Sequence, residues 1–252
     1  MSESVPERPR LALVLAGGAA RGAYEVGVVQ YLLEEVAKSL GRPVPLDILC
    51  GTSVGAINAC ALAAAADDAE GRAARLAAAW TNLRVGHVLR FDGGEIFSIL
   101  KGLIAPGAPA RNGGFIDPAG LQRIVSTTID FAGIRRNLDA GRLDAVTVST
   151  TRVASGKTAV FVDRREEGLP DWGADPTVVG RRSTLTAAHA LASAAIPFLF
   201  PPVFLDGEFH CDGGLRQNVP LSPARRLGAA AMLVVNPHYT APDPPSPELA
   251  AA

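Results

Sequence analysis

Short apolar runs alternate with stretches of helical spacing along the first third of the chain. Leu11 to Ala16 (LALVLA) is a continuous apolar run, the pattern of a strand buried on both faces of a parallel sheet. It ends in Gly17-Gly18-Ala19-Ala20-Arg21-Gly22. From Ala23 to about Leu40, Tyr24, Val28, Tyr31, Leu32 and Val36 recur at helical spacing, and Gly41 closes the segment. Leu46 to Cys50 predicts a second strand, with a small-residue helix directly after Ser53 and an alanine-rich one from Ala69 to about Leu83. Strand, glycine turn and helix, twice over, predict a doubly wound α/β sheet, whose ligands bind beyond the carboxyl ends of the strands. Both glycine turns sit at such ends and can face one crevice.

The pattern changes over 84–117, which is rich in glycine and proline with scattered large apolar residues such as Phe91, Phe97 and Leu100. Two readings stay open: a long connection carrying one short helix, or a mobile cover over an apolar pocket. Asp117-Pro118 then predicts a helix start. The stretch LDAVTVSTTRVASGKTAVFVD predicts two strands joined around Ser155-Gly156. A small-residue helix over Thr186–Ala195 follows, then short strands at Val203–Leu205 and Phe209–Cys211 leading into Asp212-Gly213-Gly214. Pro220 to Leu227 predicts a helix and Ala231 to Val235 a last buried strand. The expected organisation is a disordered amino end over 1–10, one domain over 11–238 and a proline-rich tail over 239–252.

Composition narrows the function classes. At 252 residues, with 48% hydrophobic and 19% charged residues, the chain reads as one globular α/β domain. A formal net charge of −1 supplies no attraction to nucleic acid, so no nucleic-acid partner is expected and any membrane contact must be local. Cys50, Cys60 and Cys211 are odd in number and widely spaced, which argues against a disulfide framework or a zinc site. No metal and no cofactor are expected. The amino end is polar, and no apolar run reaches the roughly 18 residues of a membrane span. The expected location is cytoplasmic, with peripheral membrane contact left open; secretion without a cleaved signal would leave no trace, and the oligomeric state is not legible.

The chemistry centres on Gly51-Thr52-Ser53-Val54-Gly55. A G-x-S-x-G pentapeptide is short and common, but here an apolar strand precedes it and a helix follows, the context of a nucleophile elbow. Side chains at Gly51 and Gly55 would crowd the backbone where strand and helix pass. The bland alternative makes Ser53 a helix cap; Thr52 could cap equally well, and a cap does not explain two flanking glycines. Gly17-Gly18-Ala19, at the end of the other strand, can present unpaired N–H groups to an oxyanion. A P-loop is disfavoured because Ala23-Tyr24 replaces Lys-[Ser/Thr], and the dinucleotide fingerprint fails at Ala19.

For the base, four histidines compete with an aspartate. His87 lies in the irregular segment, His189 on a small-residue helix, and His238 at the start of the tail. His210 shares a strand face with Asp212 by alternation. Asp212 leaves a short apolar strand and precedes Gly213-Gly214, with Asn218-Val219-Pro220 behind it. Asp92-Gly93-Gly94 repeats the tripeptide, and for both an ordinary Asp-Gly turn is the default.

Three blocks together carry a resemblance: LVLAGGAARGAYEVGVVQYL, GTSVGAINA, and ASAAIPFLFPPV running into DGGLRQNVP. In that order they resemble the patatin-like phospholipase family, over residues 11 to about 238. The resemblance implies a three-layer α/β/α fold with a mostly parallel central sheet and a Ser–Asp dyad without a catalytic histidine. By position Ser53 is then the nucleophile and Asp212 the base, with Gly51 and Gly55 in the elbow and Gly213 and Gly214 in the turn behind the base. Gly17, Gly18, Ala19, Arg21 and Gly22 form the oxyanion loop. It further implies a serine-dependent lipid acyl hydrolase of the phospholipase A type, acting on phospholipids or other acyl lipids at a membrane or micelle surface through an acyl-enzyme. An acyltransferase or thioesterase with the same dyad, and a non-catalytic lipid-binding domain, are the rival readings. Ala19 stands where the family commonly has a third glycine, and positive φ there would strain an alanine.

Overall fold

In the computed structural model, residues 8–84, 86, 116–173 and 175–238 are described. β1 (Leu11–Leu15) pairs in parallel with β2 (Ile48–Thr52) on one side and with β8 (Ala231–Val235) on the other. β2 in turn pairs in parallel with β3 (Ala145–Arg152). Both early apolar runs are therefore interior strands, and Ala12 to Leu15 and Ile48 to Cys50 are fully buried. β3 and β4 (Thr158–Arg164) form the antiparallel hairpin read from the sequence, and β4 pairs in parallel with β5 (Val178–Arg182). The order β5-β4-β3-β2-β1-β8 makes a mixed, mostly parallel central sheet flanked by helices, a three-layer α/β/α arrangement.

One local feature of this sheet decides where the chemistry lies. β6 (Val203–Leu205) and β7 (Glu208–Asp212) form a short antiparallel hairpin, and β7 continues onto β3. On the same edge of β3, Thr52 of β2 lies opposite Ser149 and Asp212 of β7 lies opposite Thr150. β7 takes over the pairing where β2 stops. The residue after Thr52 is thus delivered to the end of β7.

Helix α1 (Gly22–Tyr31) continues through a π-helical turn over Leu32–Val36 to Ala37–Leu40. α2 (Val54–Ala64) is thin and apolar: Ala56, Ala59, Cys60, Leu62 and Ala63 are buried against the sheet with Leu13, Leu15 and Leu49. α3 (Arg72–Thr81) is the alanine-rich helix, two to three residues shorter at each end than the sequence suggested. α4 (Ala119–Thr128) begins after Asp117, whose Oδ1 accepts from Ala119 N–H at 2.9 Å. α5 (Phe131–Asp139) and β5 were not read from the sequence. α6 (Ala187–Ser193) and α7 (Leu221–Arg226) complete the helices that were expected. A smaller apolar cluster, including Ala12, Val14, Ile48, Cys50, Val160 and Ala224, fills the other face of the sheet.

Two arginines of the amino end tie residues 8–10 to the domain. Arg8 donates to Asp47 at 2.8 Å, and Arg10 Nε lies 3.2 Å from Asp144, so the tie to the domain begins before Leu11. The candidate cover, with His87 and Asp92, falls almost entirely outside the described residues, as does the tail. Among the described residues no helix is long and apolar enough to cross a membrane, and all three cysteines are buried and free.

Candidate active site

Ser53 joins β2 to α2 with φ 55° and ψ −126°, a conformation that L-residues avoid and that clusters at functional positions. Its flanking glycines have a steric reason. A Cβ at Gly51 would strike the Gly55 carbonyl oxygen and the Ala56 backbone, and one at Gly55 would strike the carbonyls of Leu15 and Ala16. Strand, turn and helix pass too closely for any side chain there.

The Ser53 hydroxyl donates to Asp212 Oδ2 at 2.7 Å. The other carboxylate oxygen, Oδ1, accepts from Gly214 N–H at 2.7 Å, while Asp212 N–H donates to Ala195 O at 2.9 Å and Thr151 Oγ1 donates to Asp212 O at 2.9 Å. Ser53 and Asp212 are only 6% and 5% exposed. Burial pushes the Asp212 carboxyl above its ordinary pKa, and the hydrogen bonds from Ser53 and Gly214 oppose that shift. A Cβ at Gly213 would collide with Ser149 O, so the turn behind Asp212 passes directly over β3.

The glycine loop lies beside this pair. A Cβ on Gly17 would stand 3.2 Å from Ser53 Cβ. Gly17 N–H donates to Asn218 O at 3.0 Å and Asn218 Nδ2 donates back to Gly17 O at 3.2 Å, tying the loop to the segment after Asp212. Gly17 N–H is therefore occupied. Gly18 N–H and Ala19 N–H have no hydrogen-bond partner among the described residues, nor do Val54 N–H and Gly55 N–H at the start of α2, whereas Ala56 and Ile57 donate to Ser53 O. Ala19 has φ 49°, the left-handed conformation anticipated for a third glycine. Arg21 is exposed, its N–H held by Gly18 O at 3.0 Å, and Gly22 opens α1 packed close to Val54 and Trp80.

No described histidine joins the pair. His210 is fully buried, with Nδ1 2.9 Å from Thr150 Oγ1 and Nε2 3.8 Å from Glu208 Oε1, and burial lowers its pKa. His189 Nδ1 accepts from Thr186 N–H at 3.1 Å, and Nε2 lies 3.1 Å from Ser183 Oγ; this capping role leaves it a structural group, its pKa lowered to about 4 by burial. His238 is exposed on the strand-exit segment.

The apolar approach expected from Phe198, Phe200, Val203 and Phe204 divides. Phe200 is buried, whereas Phe198 is 77% and Phe204 59% exposed. Phe204 stacks edge-on to Phe209 at 5.0 Å between ring centroids, at the tip of the β6–β7 hairpin. Phe198 also has positive φ, 68°. Sequence reasoning missed two polar groups behind the site. Ser193, at the end of α6, contacts the Ser53 backbone. Glu25 is fully buried, bonded by Asn58 Nδ2 at 2.9 Å, while Trp80 Nε1 donates to Asn58 Oδ1 at 2.9 Å. Burial raises the Glu25 pKa to about 8, and nothing in its helical sequence context distinguishes it from a surface acid.

A hydroxyl donating to a buried carboxylate, beside free backbone N–H groups, is an arrangement suited to acyl transfer. A sequence model of the patatin-like phospholipase family matches residues 13–225. No curated protein matches the chain significantly. Among solved structures, VipD from Legionella pneumophila aligns with a TM-score of 0.49 at 18% identity, over 92% of this chain and 50% of that one. This chain therefore spans half the length of that structure's chain. With the family match extending from β1 into α7 and taking in both Ser53 and Asp212, this chain belongs to the patatin-like phospholipase family.

Proposed function

We propose that the protein is a lipid acyl hydrolase that cleaves carboxylic esters of phospholipids or related acyl lipids through a Ser53–Asp212 dyad. Ser53 Oγ attacks the ester carbonyl as Asp212 accepts its proton. The N–H groups of Gly18 and Ala19, with the amino end of α2, stabilise the oxyanion. Asp212 then returns the proton to the departing alcohol oxygen, leaving Ser53 acylated. In the second half, Asp212 takes a proton from water as that water attacks the acyl carbonyl, then passes it to Ser53 Oγ as the bond to the acyl group breaks and the acid departs.

The observation that carries this reading is the 2.7 Å Ser53–Asp212 hydrogen bond made by a serine in a strained elbow. An ordinary aspartate, with a pKa near 3.9, is a poor base for a hydroxyl; desolvation strengthens it as a base. A lipid aggregate as the substrate is supported by the exposed Phe198, Leu199, Phe204 and Phe209, carried on the segments that lead from Ala195 back to Asp212. Aromatic side chains in such positions can enter a lipid surface.

The test is product analysis on phospholipid vesicles with unmutated protein, Ser53→Ala and Asp212→Asn. Release of free fatty acid by the unmutated protein, lost in both variants, supports the reading. Cleavage that survives Ser53→Ala overturns it, binding without turnover favours a carrier, and acyl transfer to an added alcohol with little free acid favours a transferase.

A further inference from the structure

Ser53 N–H donates to Ser193 Oγ at 2.8 Å, and Ser193 Oγ donates to Ser149 O at 2.6 Å. One hydroxyl thus satisfies two buried backbone groups, the amide at the end of β2 and a carbonyl of β3. Ser193 is fully buried, at the last position of α6.

The end of the strand explains why this matters. The ladder between β2 and β3 ends at Thr52, so the buried Ser53 amide that follows it needs a partner from outside the sheet. α6 supplies it. Ser193 also meets the strand that anchors the base, because Ser149 precedes Thr150, the residue opposite Asp212. Two residues beyond Ser193, Ala195 O accepts the Asp212 N–H at 2.9 Å. The end of α6 therefore holds the backbones of Ser53 and Asp212 through two hydrogen bonds in one short segment.

We propose that Ser193 is a positioning residue for the nucleophile. It fixes the Ser53 backbone in the elbow conformation from which Oγ reaches Asp212 Oδ2, and sets the separation of nucleophile and base through Ser149. It touches neither substrate nor the reacting oxygen. The inference rests on Ser53 being the nucleophile. Loss of Ser193 lowers the rate at which Ser53 reacts, with little effect on how tightly substrate binds.

The test compares unmutated protein, Ser193→Ala, Ser193→Cys and Ser193→Thr. A fluorophosphonate probe measures the rate of Ser53 labelling and counts live sites, and kcat and KM for a short-chain ester are then expressed per live site. The expected result for Ser193→Ala is a kcat per live site and a labelling rate lower by about 10- to 100-fold, with KM within about threefold. Ser193→Cys, which keeps the shape with a weak hydrogen-bonding group, falls between, and Ser193→Thr restores part of the rate. A packing role alone lowers the number of live sites and leaves the rate of each unchanged. Equal labelling rate and kcat per live site in Ser193→Ala overturn the inference; should that variant not fold, equal values in Ser193→Cys do so. Absence of labelling in the unmutated protein removes the nucleophile reading and this inference together, whereas normal labelling with unaltered variants removes this inference alone.

Discussion

Ser53 and Asp212 are 159 residues apart in the chain and 2.7 Å apart in space, joined by the pairing register of a third strand. β3 pairs with β2 as far as Ser149 and with β7 from Thr150 onward, so the carboxyl ends of β2 and β7 meet head-on. Neither glycine motif contains this information. It follows from the antiparallel entry of β7 into an otherwise parallel part of the sheet.

Replacing Asp212 by Asn keeps the shape and removes the proton acceptor. The expected loss in kcat/KM is about 10²–10⁴-fold, the usual scale for a general base. His210→Ala lowers stability, because it empties a fully buried position and removes one hydrogen-bond partner of Thr150 Oγ1, yet retains activity per folded molecule. Asp212 works only when ionised, so activity rises with pH through a limb set above the ordinary aspartate value. Steady-state kinetics across pH, normalised to folded protein, check both statements.

Ala19→Gly relieves an alanine held at φ 49°. Left-handed backbone costs a non-glycine residue about 1–2 kcal/mol, partly offset by the extra freedom glycine has when unfolded. The expected net gain is up to about 1 kcal/mol, read from the urea midpoint, with the rate unchanged or higher.

Glu25 makes stability depend on pH in a direction opposite to a paired carboxylate. Its folded pKa of about 8 lies above the ordinary glutamate value of 4.5, so between those values the folded state binds more protons than the unfolded state. By linkage, its contribution is fully present below about 4.5 and is lost as pH rises through about 8. The loss is on the order of a few kcal/mol. Urea unfolding at pH 5.5 and pH 8.5 should show the unmutated protein losing stability across that window and Glu25→Gln losing much less.

Phe198→Asp and Phe204→Asp separate interfacial from chemical defects. Each removes an aromatic side chain whose burial in lipid is worth about 1.5–3 kcal/mol. Activity on phospholipid vesicles should fall about tenfold or more, while activity on a short-chain soluble ester stays within about twofold. Equal loss on both substrates would place these residues in the chemistry or the folding and not at a lipid surface.

Most elements legible in the sequence were those whose local pattern coincides with their burial; β8 was expected to be a buried strand, but it is the edge strand beside β1 and only Val235 of it is buried. LALVLA and the residues before Gly51 are interior strands, and an interior strand of a parallel sheet must be apolar throughout. The elbow glycines were legible because a close backbone approach excludes side chains whatever the rest of the fold does. β5 escaped because Val178 to Arg182 is a half-buried edge strand with arginines and a glycine, so no apolar run marks it. α5 escaped although Ile134 and Leu138 have helical spacing, because it follows α4 almost directly and carries charged residues between them. Ser193 and Glu25 owe their importance to contacts made across the fold. In the sequence one is a small residue in an alanine run, and the other an acid in a helix.

The central claim is that Ser53 is activated by Asp212 in the folded protein. Peptide mass spectrometry after exposure to a fluorophosphonate probe tests it most directly. The account predicts a single adduct on Ser53, absent after denaturation and strongly slowed in Asp212→Asn. No adduct on Ser53, or one formed as fast in Asp212→Asn as in the unmutated protein, would contradict it.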